Sequence, residues 1–170
     1  MATDAQPHNC EMTPAELSVI EASGKNRGVI MKAWLLLALR ASTGTLLIIW
    51  GVLRVMSPDV ATRLSEKYYS GALSAEALIL PLAYGQIALG ALVILGLFRL
   101  IVYPLQALVL IGGAAAIWKY LADPLGLYLL NAETRQILFF PSTTVAVTTL
   151  ILLAYKADDR LALDRLFLKR

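Results

Sequence analysis

The chain has 170 residues, 58% of them hydrophobic, with a mean hydropathy of +0.68 and a net charge of +3. Few soluble domains are so apolar, and the basic residues cluster beside long apolar runs, as membrane topology would place them, so the positive charge does not suggest nucleic-acid binding. The single cysteine, Cys10, and the single histidine, His8, both stand in a polar N-terminal stretch, so no disulfide, CxxC pair or histidine-held metal or haem is expected within the apolar part.

Residues 1–32 form a polar tail, with Asp4, Glu11, Glu16 and Glu21 ahead of Lys25, Arg27 and Lys32. A charged flank this long, before so late an apolar run, does not fit a cleavable signal peptide. Thr13-Pro14-Ala15-Glu16 predicts a helix start, with Thr13 as N-cap, Pro14 as first helical residue and Glu16 closing a capping box. That helix is expected to end near Ala22, with Gly24 and Gly28 loosening the link to the membrane.

Residues 35–56 read as the first span, long enough at about 1.5 Å per residue to cross a hydrocarbon core of about 30 Å. Arg40, Gly44, Leu47, Gly51 and Arg54 share one face at steps of four and three. Glycines seven apart admit a neighbouring backbone, and Trp50 can stack on Arg54 one turn later. Two readings of Arg40 stay open. A cation in hydrocarbon costs at least about 2.5–3.5 kcal/mol and so faces a partner or cavity, or the span begins near Ala41 and Arg40 snorkels to the headgroups.

Ser57-Pro58-Asp59 starts a short amphipathic helix with Val60, Leu64 and Tyr68 on one side, ending at Ser70-Gly71 and expected to lie on the membrane surface. The second span is residues 75–97, capped by Ser74, with Glu76 in its first turn and Pro81 near its start. Tyr84, Gly85 and Gln86 fall near mid-membrane, followed by Gly90 and Gly96. Gln86 is the side-chain amide able to hydrogen-bond across to the first helix. Arg99 marks a tight turn into the third span, residues 101–121, so these two helices are antiparallel neighbours. Gly112, Gly113 and Ala114–Ala116 offer close helix contact, with Gly112 and Ala116 four apart. Lys119 and Asp123 are spaced to pair at the end. Leu127–Leu130 are too short to span and are expected to dip into the interface. The fourth span is residues 137–155, with Pro141 beginning or kinking it. Residues 156–170 hold five basic residues, three acids and five leucines or phenylalanines. This predicts a basic amphipathic helix on anionic lipid, or a docking surface.

The expected fold is therefore all-α: an integral membrane four-helix transmembrane bundle (residues 33–155) with short interfacial amphipathic helices. With both termini cytoplasmic, nine basic residues lie inside against five outside, which favours an inner-membrane, multi-pass chain in that orientation. Arg40, Tyr84, Gln86 and Trp50 form the candidate intramembrane polar site. Gly44, Gly51, Gly85, Gly90, Gly112, Gly113 and Ala116 are the candidate packing positions, and Arg54, Glu76, Lys119 and Asp123 a polar cluster at the outer face. No catalytic constellation or metal site is read.

The stretches LLLALRASTGTLLIIWGVLRV, with Arg40, Gly44, Gly51 and Arg54, and YGQIALGALVILGLFRL resemble the DoxX-like family of small four-helix membrane proteins, over residues 32–155. In that family the second helix commonly has a glutamate, a glycine-rich run and a basic residue; Gln86, Gly90, Gly96 and Arg99 stand there. Some members are associated with membrane subunits of quinone-linked sulfur oxidoreductases and redox-protective complexes. Gln86 in place of the acid removes a titratable partner for Arg40. The functional expectation is a non-catalytic membrane subunit or scaffold of a larger complex, redox or energy-transducing. It has the lipid bilayer and other membrane subunits as partners and no cofactor of its own. The alternative is a quinone- or thiol-linked oxidoreductase membrane subunit with a site near Arg40 and Gln86, where an arginine and an amide can hydrogen-bond a quinone carbonyl and a partner must carry the electrons onward.

Overall fold

A computed structural model describes residues 14–69, 76–131, 133–134 and 136–167. Every regular element among them is helical: α1 Pro14–Met56, α2 Pro58–Tyr69, α3 Glu76–Leu95, α4 Arg99–Ala116, α5 Trp118–Ala122, a 3₁₀ turn at Ile137–Phe139, α6 Pro141–Ala154 and α7 Asp164–Phe167. Three stretches, Ser23–Met56, Leu78–Leu95 and Arg99–Ala116, are long and apolar enough to cross a membrane. α6 is apolar but has only 14 residues, because it starts at Pro141, a single residue past the 3₁₀ segment.

The closest packing is between α1 and α3, and it follows from glycine. A Cβ at Gly44 would lie 2.7 Å from the Gly90 carbonyl oxygen, and one at Gly90 would lie 2.5 Å from the Gly44 oxygen. Seven residues on, a Cβ at Gly51 would lie 2.8 Å from the Ala83 oxygen. Gly44 opposite Gly90 and Gly51 opposite Ala83 fix the two helices as antiparallel, backbone against backbone. α4 packs on α6, and smaller contacts of α3 with α4 and α1 with α6 close the arrangement. The core between them is Leu36, Leu47, Leu89, Val93, Val102, Tyr103 and Leu152.

Several expectations are corrected. The N-terminal helix does not stop at Ala22; α1 runs unbroken through Gly24 and Gly28 into the span. Glycine costs a helix only about 1 kcal/mol per residue, too little to end one that the packed stretch beyond Lys32 already nucleates. The expected Thr13 and Ser74 caps and the side chains of Glu16 and Glu76 lie outside the described residues. Among the described residues, nothing lies within 4 Å of a Cβ built at Gly85, Gly112 or Gly113, and Ala116 is exposed, so none of the four makes a close contact there. The reason is rotation: α3 turns Ala83, Ile87 and Gly90 toward α1, and α4 buries Val102, Tyr103, Gln106, Ala107 and Ala114 instead.

At the end of the molecule away from the N-terminus, Tyr68 of α2, Tyr120 of α5 and Phe139 of the 3₁₀ turn meet edge to face, with centroids 4.8–5.5 Å apart. The expected Lys119–Asp123 pair is not formed. Asp123 is buried, and its carboxylate accepts the backbone N–H groups of Leu127, Tyr128, Leu129 and Leu130 at 2.7–3.1 Å. Four oriented donors outbid one mobile ammonium. The loop so held presents Leu127, Tyr128 and Leu129 outward. Burial pushes the Asp123 carboxyl up, but the four N–H groups outweigh it and hold it well below the usual carboxylate range. Since the unfolded value is about 3.9, this contribution is complete above about pH 5 and fades as pH falls through the lowered folded value. Amide hydrogen exchange at residues 127–130 should therefore stay protected from pH 7 to pH 5, and Asp123→Asn should raise it across that range. Equal protection in the variant would show that the carboxylate does not hold the loop.

Candidate functional site

At the opposite end, the residues after α6 fold back over the helix ends rather than forming the expected amphipathic helix. Among the described residues, only Asp164–Phe167 are helical there. The cause is the set of backbone groups that α3 and α4 leave unsatisfied where they meet. α3 ends on Gly96 (φ 67°), with the Leu97 N–H returning to the Leu92 carbonyl, a Schellman-type close that needs a left-handed residue. The free Leu95 and Gly96 carbonyls accept the N–H groups of Leu163 and Asp164. On the other side of the turn, the Asp164 carboxylate accepts the N–H groups of Phe98 and Arg99, both at 2.9 Å. One short segment thus caps the last carbonyls of α3 and the first donors of α4. These bonds hold Phe98 in its left-handed conformation (φ 51°), which a non-glycine residue adopts at a cost.

The same segment delivers an acid to Arg40. Arg40 is 2% exposed and Asp159 1%, and Arg40 Nη1 donates to Asp159 Oδ2 at 3.0 Å. Arg40 Nη2 donates to the Leu161 carbonyl at 3.2 Å, and the Tyr103 hydroxyl donates to Asp159 Oδ2 at 2.5 Å. Of the two readings of Arg40, the paired one is what the structure shows; the side chain does not snorkel. Gly96 serves a second purpose here, since a Cβ at that position would collide with the Arg40 guanidinium and with buried Ala162. Two further ion pairs flank the first. Lys32 Nζ meets Asp158 Oδ2 at 2.6 Å and also sits over the Tyr155 ring, and Arg99 Nε meets Asp164 Oδ2 at 3.4 Å. Arg99 Nη1 donates to the carbonyls of Lys156 and Asp159. The hydrogen bond from Lys32 holds the Asp158 carboxyl below its ordinary range. Asp164 is lowered too: burial raises it, and the Arg99 and Phe98 N–H groups and the Arg99 guanidinium more than reverse that.

The cluster is electrically balanced but not fully bonded. Arg40 Nε, Asp159 Oδ1 and Gln106 Nε2 are buried with no hydrogen-bond partner. Gln106 stands one turn beyond Tyr103 on α4.

The four residues read from sequence as one site are not brought together. Arg40 lies against Gly96, whereas Tyr84 stands twelve residues earlier in the chain, about 18 Å along the α3 axis. Tyr84 is 61% exposed, Trp50 is also exposed, and Gln86 is half-buried, with no hydrogen bond among the described residues. Of the expected outer-face cluster, Asp123 turns to its own loop and Lys119 is exposed.

Sequence reasoning missed Asp159, Tyr103, Gln106 and Asp164. The signal for Asp159 was present as a demand. Beyond Glu76 at the start of the second span, no acid lies in the apolar runs, so a buried Arg40 could only draw its anion from a flanking segment. Asp158-Asp159 stands just past the last one.

Comparison with protein-family models, with curated proteins and with solved structures finds no match to this chain.

Proposed function

We propose that this chain is a non-catalytic integral membrane subunit, a scaffold within a larger membrane complex. In this reading the three long apolar helices and the shorter α6 form a transmembrane bundle in the cytoplasmic membrane, with both termini on the cytoplasmic side, where Lys32, Arg99, Lys156, Arg160 and Arg165 would satisfy the positive-inside rule. The observation that carries it is the Arg40 cluster. Among the described residues, the one deeply buried cation is neutralised within the chain and sealed under a segment of the same chain, which is the arrangement of a structural fastener. Substrate-handling charges in membranes more often face a cavity. Much of the outer surface of α1 and α4 stays apolar and uncovered, as a subunit's would.

The reading is tested by gentle solubilisation from native membranes and mass spectrometry of whatever migrates with the chain. A defined set of other membrane proteins, in constant ratio, is the expected result. A chain running alone would overturn it.

The alternative is a DoxX-like quinone- or thiol-linked oxidoreductase subunit. The resemblance of the first two spans supports it, together with the unpartnered Gln106 amide beside Tyr103. A quinone headgroup would not find Arg40, Trp50, Tyr84 and Gln86 together as they are placed. Those four residues do not fit that group, and any such site would have to be built from others.

A further inference from the structure

The three buried polar atoms without a partner are Arg40 Nε, Asp159 Oδ1 and Gln106 Nε2, and they belong to one cluster. Arg40 Nε and Asp159 Oδ1 are the unbonded ends of the two groups joined by the 3.0 Å Nη1–Oδ2 bond. Gln106 shares a face of α4 with Tyr103, three residues before it, whose hydroxyl donates to the same carboxylate. Long side chains on a helix lean toward its N-terminus. On α4 that is the direction from Gln106 toward Tyr103 and the ion pair. All three residues are at most 2% exposed, so bulk solvent does not serve them.

The chain has no spare group to offer. Arg40 is held by Asp159 and the Leu161 carbonyl, and Asp159 by Arg40 and Tyr103. The nearby buried hydroxyls, Thr43 on α1 and Thr149 on α6, donate to carbonyls of their own helices. A bare buried donor or acceptor is costly, and more so on a charged group. The three atoms also define what would satisfy them. Two are N–H donors and one is a carboxylate acceptor, so the occupant must accept twice and donate once. An anion would be repelled by Asp159 Oδ1 and a cation by the Arg40 guanidinium, so the occupant is neutral. Water meets each condition, and buried waters in proteins typically make about three hydrogen bonds to groups of this kind.

We propose that Arg40 Nε, Asp159 Oδ1 and Gln106 Nε2 form a binding site for one internal water, which accepts from the two N–H groups and donates to the carboxylate. The site goes beyond the subunit reading and stands whether or not the chain has partners. Through it Gln106 joins the fastener, so α4 is tied to α1 and to the segment after α6 by a second bridge besides Tyr103. A filled site also engages the Gln106 amide on which the oxidoreductase alternative draws.

Two measurements test the proposal. The first is a crystal structure of the full chain grown in a lipid phase, at a resolution that shows ordered water. One water within hydrogen-bonding distance of all three atoms is the expected result. A larger molecule in that place, a direct hydrogen bond from Gln106 to Arg40 or Asp159, or the three atoms with nothing between them would each overturn it. The second is Gln106→Met, a change close to isosteric, followed by unfolding at rising SDS fraction. An orphaned amide is a liability, so without the water its removal should raise the unfolding midpoint. With the water bound, removal breaks the bridge to Arg40 Nε and Asp159 Oδ1, and the midpoint should fall. In a chain already carrying Arg40→Met and Asp159→Ala the bridge has no other end, so Gln106→Met should no longer lower the midpoint. A rise in the otherwise native chain, or an equal fall in both backgrounds, would overturn the proposal.

Discussion

Asp159→Ala should cost this protein about 3–5 kcal/mol of stability, the scale on which removing one partner of a buried ion pair is felt. The loss is not the Coulomb energy of the pair. It is the cost of leaving Arg40, 2% exposed, without its anion in a low-dielectric interior. Tyr103 would at the same time lose the acceptor of its 2.5 Å hydrogen bond. Unfolding in mixed micelles at rising SDS fraction measures this directly. Asp159→Asn should fall between the two, since an amide oxygen still accepts from Arg40 and Tyr103. The combination Arg40→Met with Asp159→Ala should recover much of the loss, because buried pairs are often replaceable by apolar groups of similar volume. An unchanged midpoint in Asp159→Ala would mean that Arg40 reaches water by another route.

Gly44→Ala and Gly90→Ala should each destabilise by about 1–3 kcal/mol through overpacking. In both cases a backbone carbonyl oxygen lies at 2.5–2.7 Å, joined at Gly44 by the Ile94 side chain at 2.6 Å; the carbonyl cannot rotate away, so α1 and α3 must separate along their length. Separation also forfeits dispersion contacts, the main attraction between helices in lipid. Gly51→Ala belongs to the same set. Gly85→Ala and Gly112→Ala are the controls. Both face open space, and alanine is the better helix former by up to about 1 kcal/mol, so these should be neutral or slightly stabilising. The same SDS titration separates the two groups. A uniform response of all five glycines would show that backbone flexibility, rather than helix approach, governs them.

The elements were legible from the sequence where a local pattern decides them. Ser57-Pro58-Asp59 marks the start of α2 because the cap and the proline act within one turn. The antiparallel turn at Arg99 follows from two apolar runs with almost nothing between them. Gly44 and Gly51 announce a close neighbour because no other residue type tolerates a carbonyl at that distance. What sequence could not supply was rotation. Gly112 and Ala116 have the same small-residue spacing as productive pairs, yet α4 buries Tyr103 and Gln106, and its glycines are left outside. Rotation is settled by the fit of whole faces, which no window of residues contains. The region after α6 was misread for a related reason. Its leucines and basic residues satisfy an amphipathic-helix pattern, but the unsatisfied carbonyls of α3 and donors of α4 make a better offer to Leu163 and Asp164. Asp159 is then drawn under Arg40 across 119 residues of sequence.

That separation has a consequence in time. During synthesis Arg40 enters the membrane long before Asp159 exists. At ~5–20 residues per second, the 119 positions between them take about 6–24 s to make. For that interval the first helix carries a cation with no anion of its own. Asp159, made 119 residues later, is the group that neutralises it. A nascent chain that stalls or is cut before Asp159 therefore holds an unpaired cation in its first helix, the costly state that the finished chain avoids.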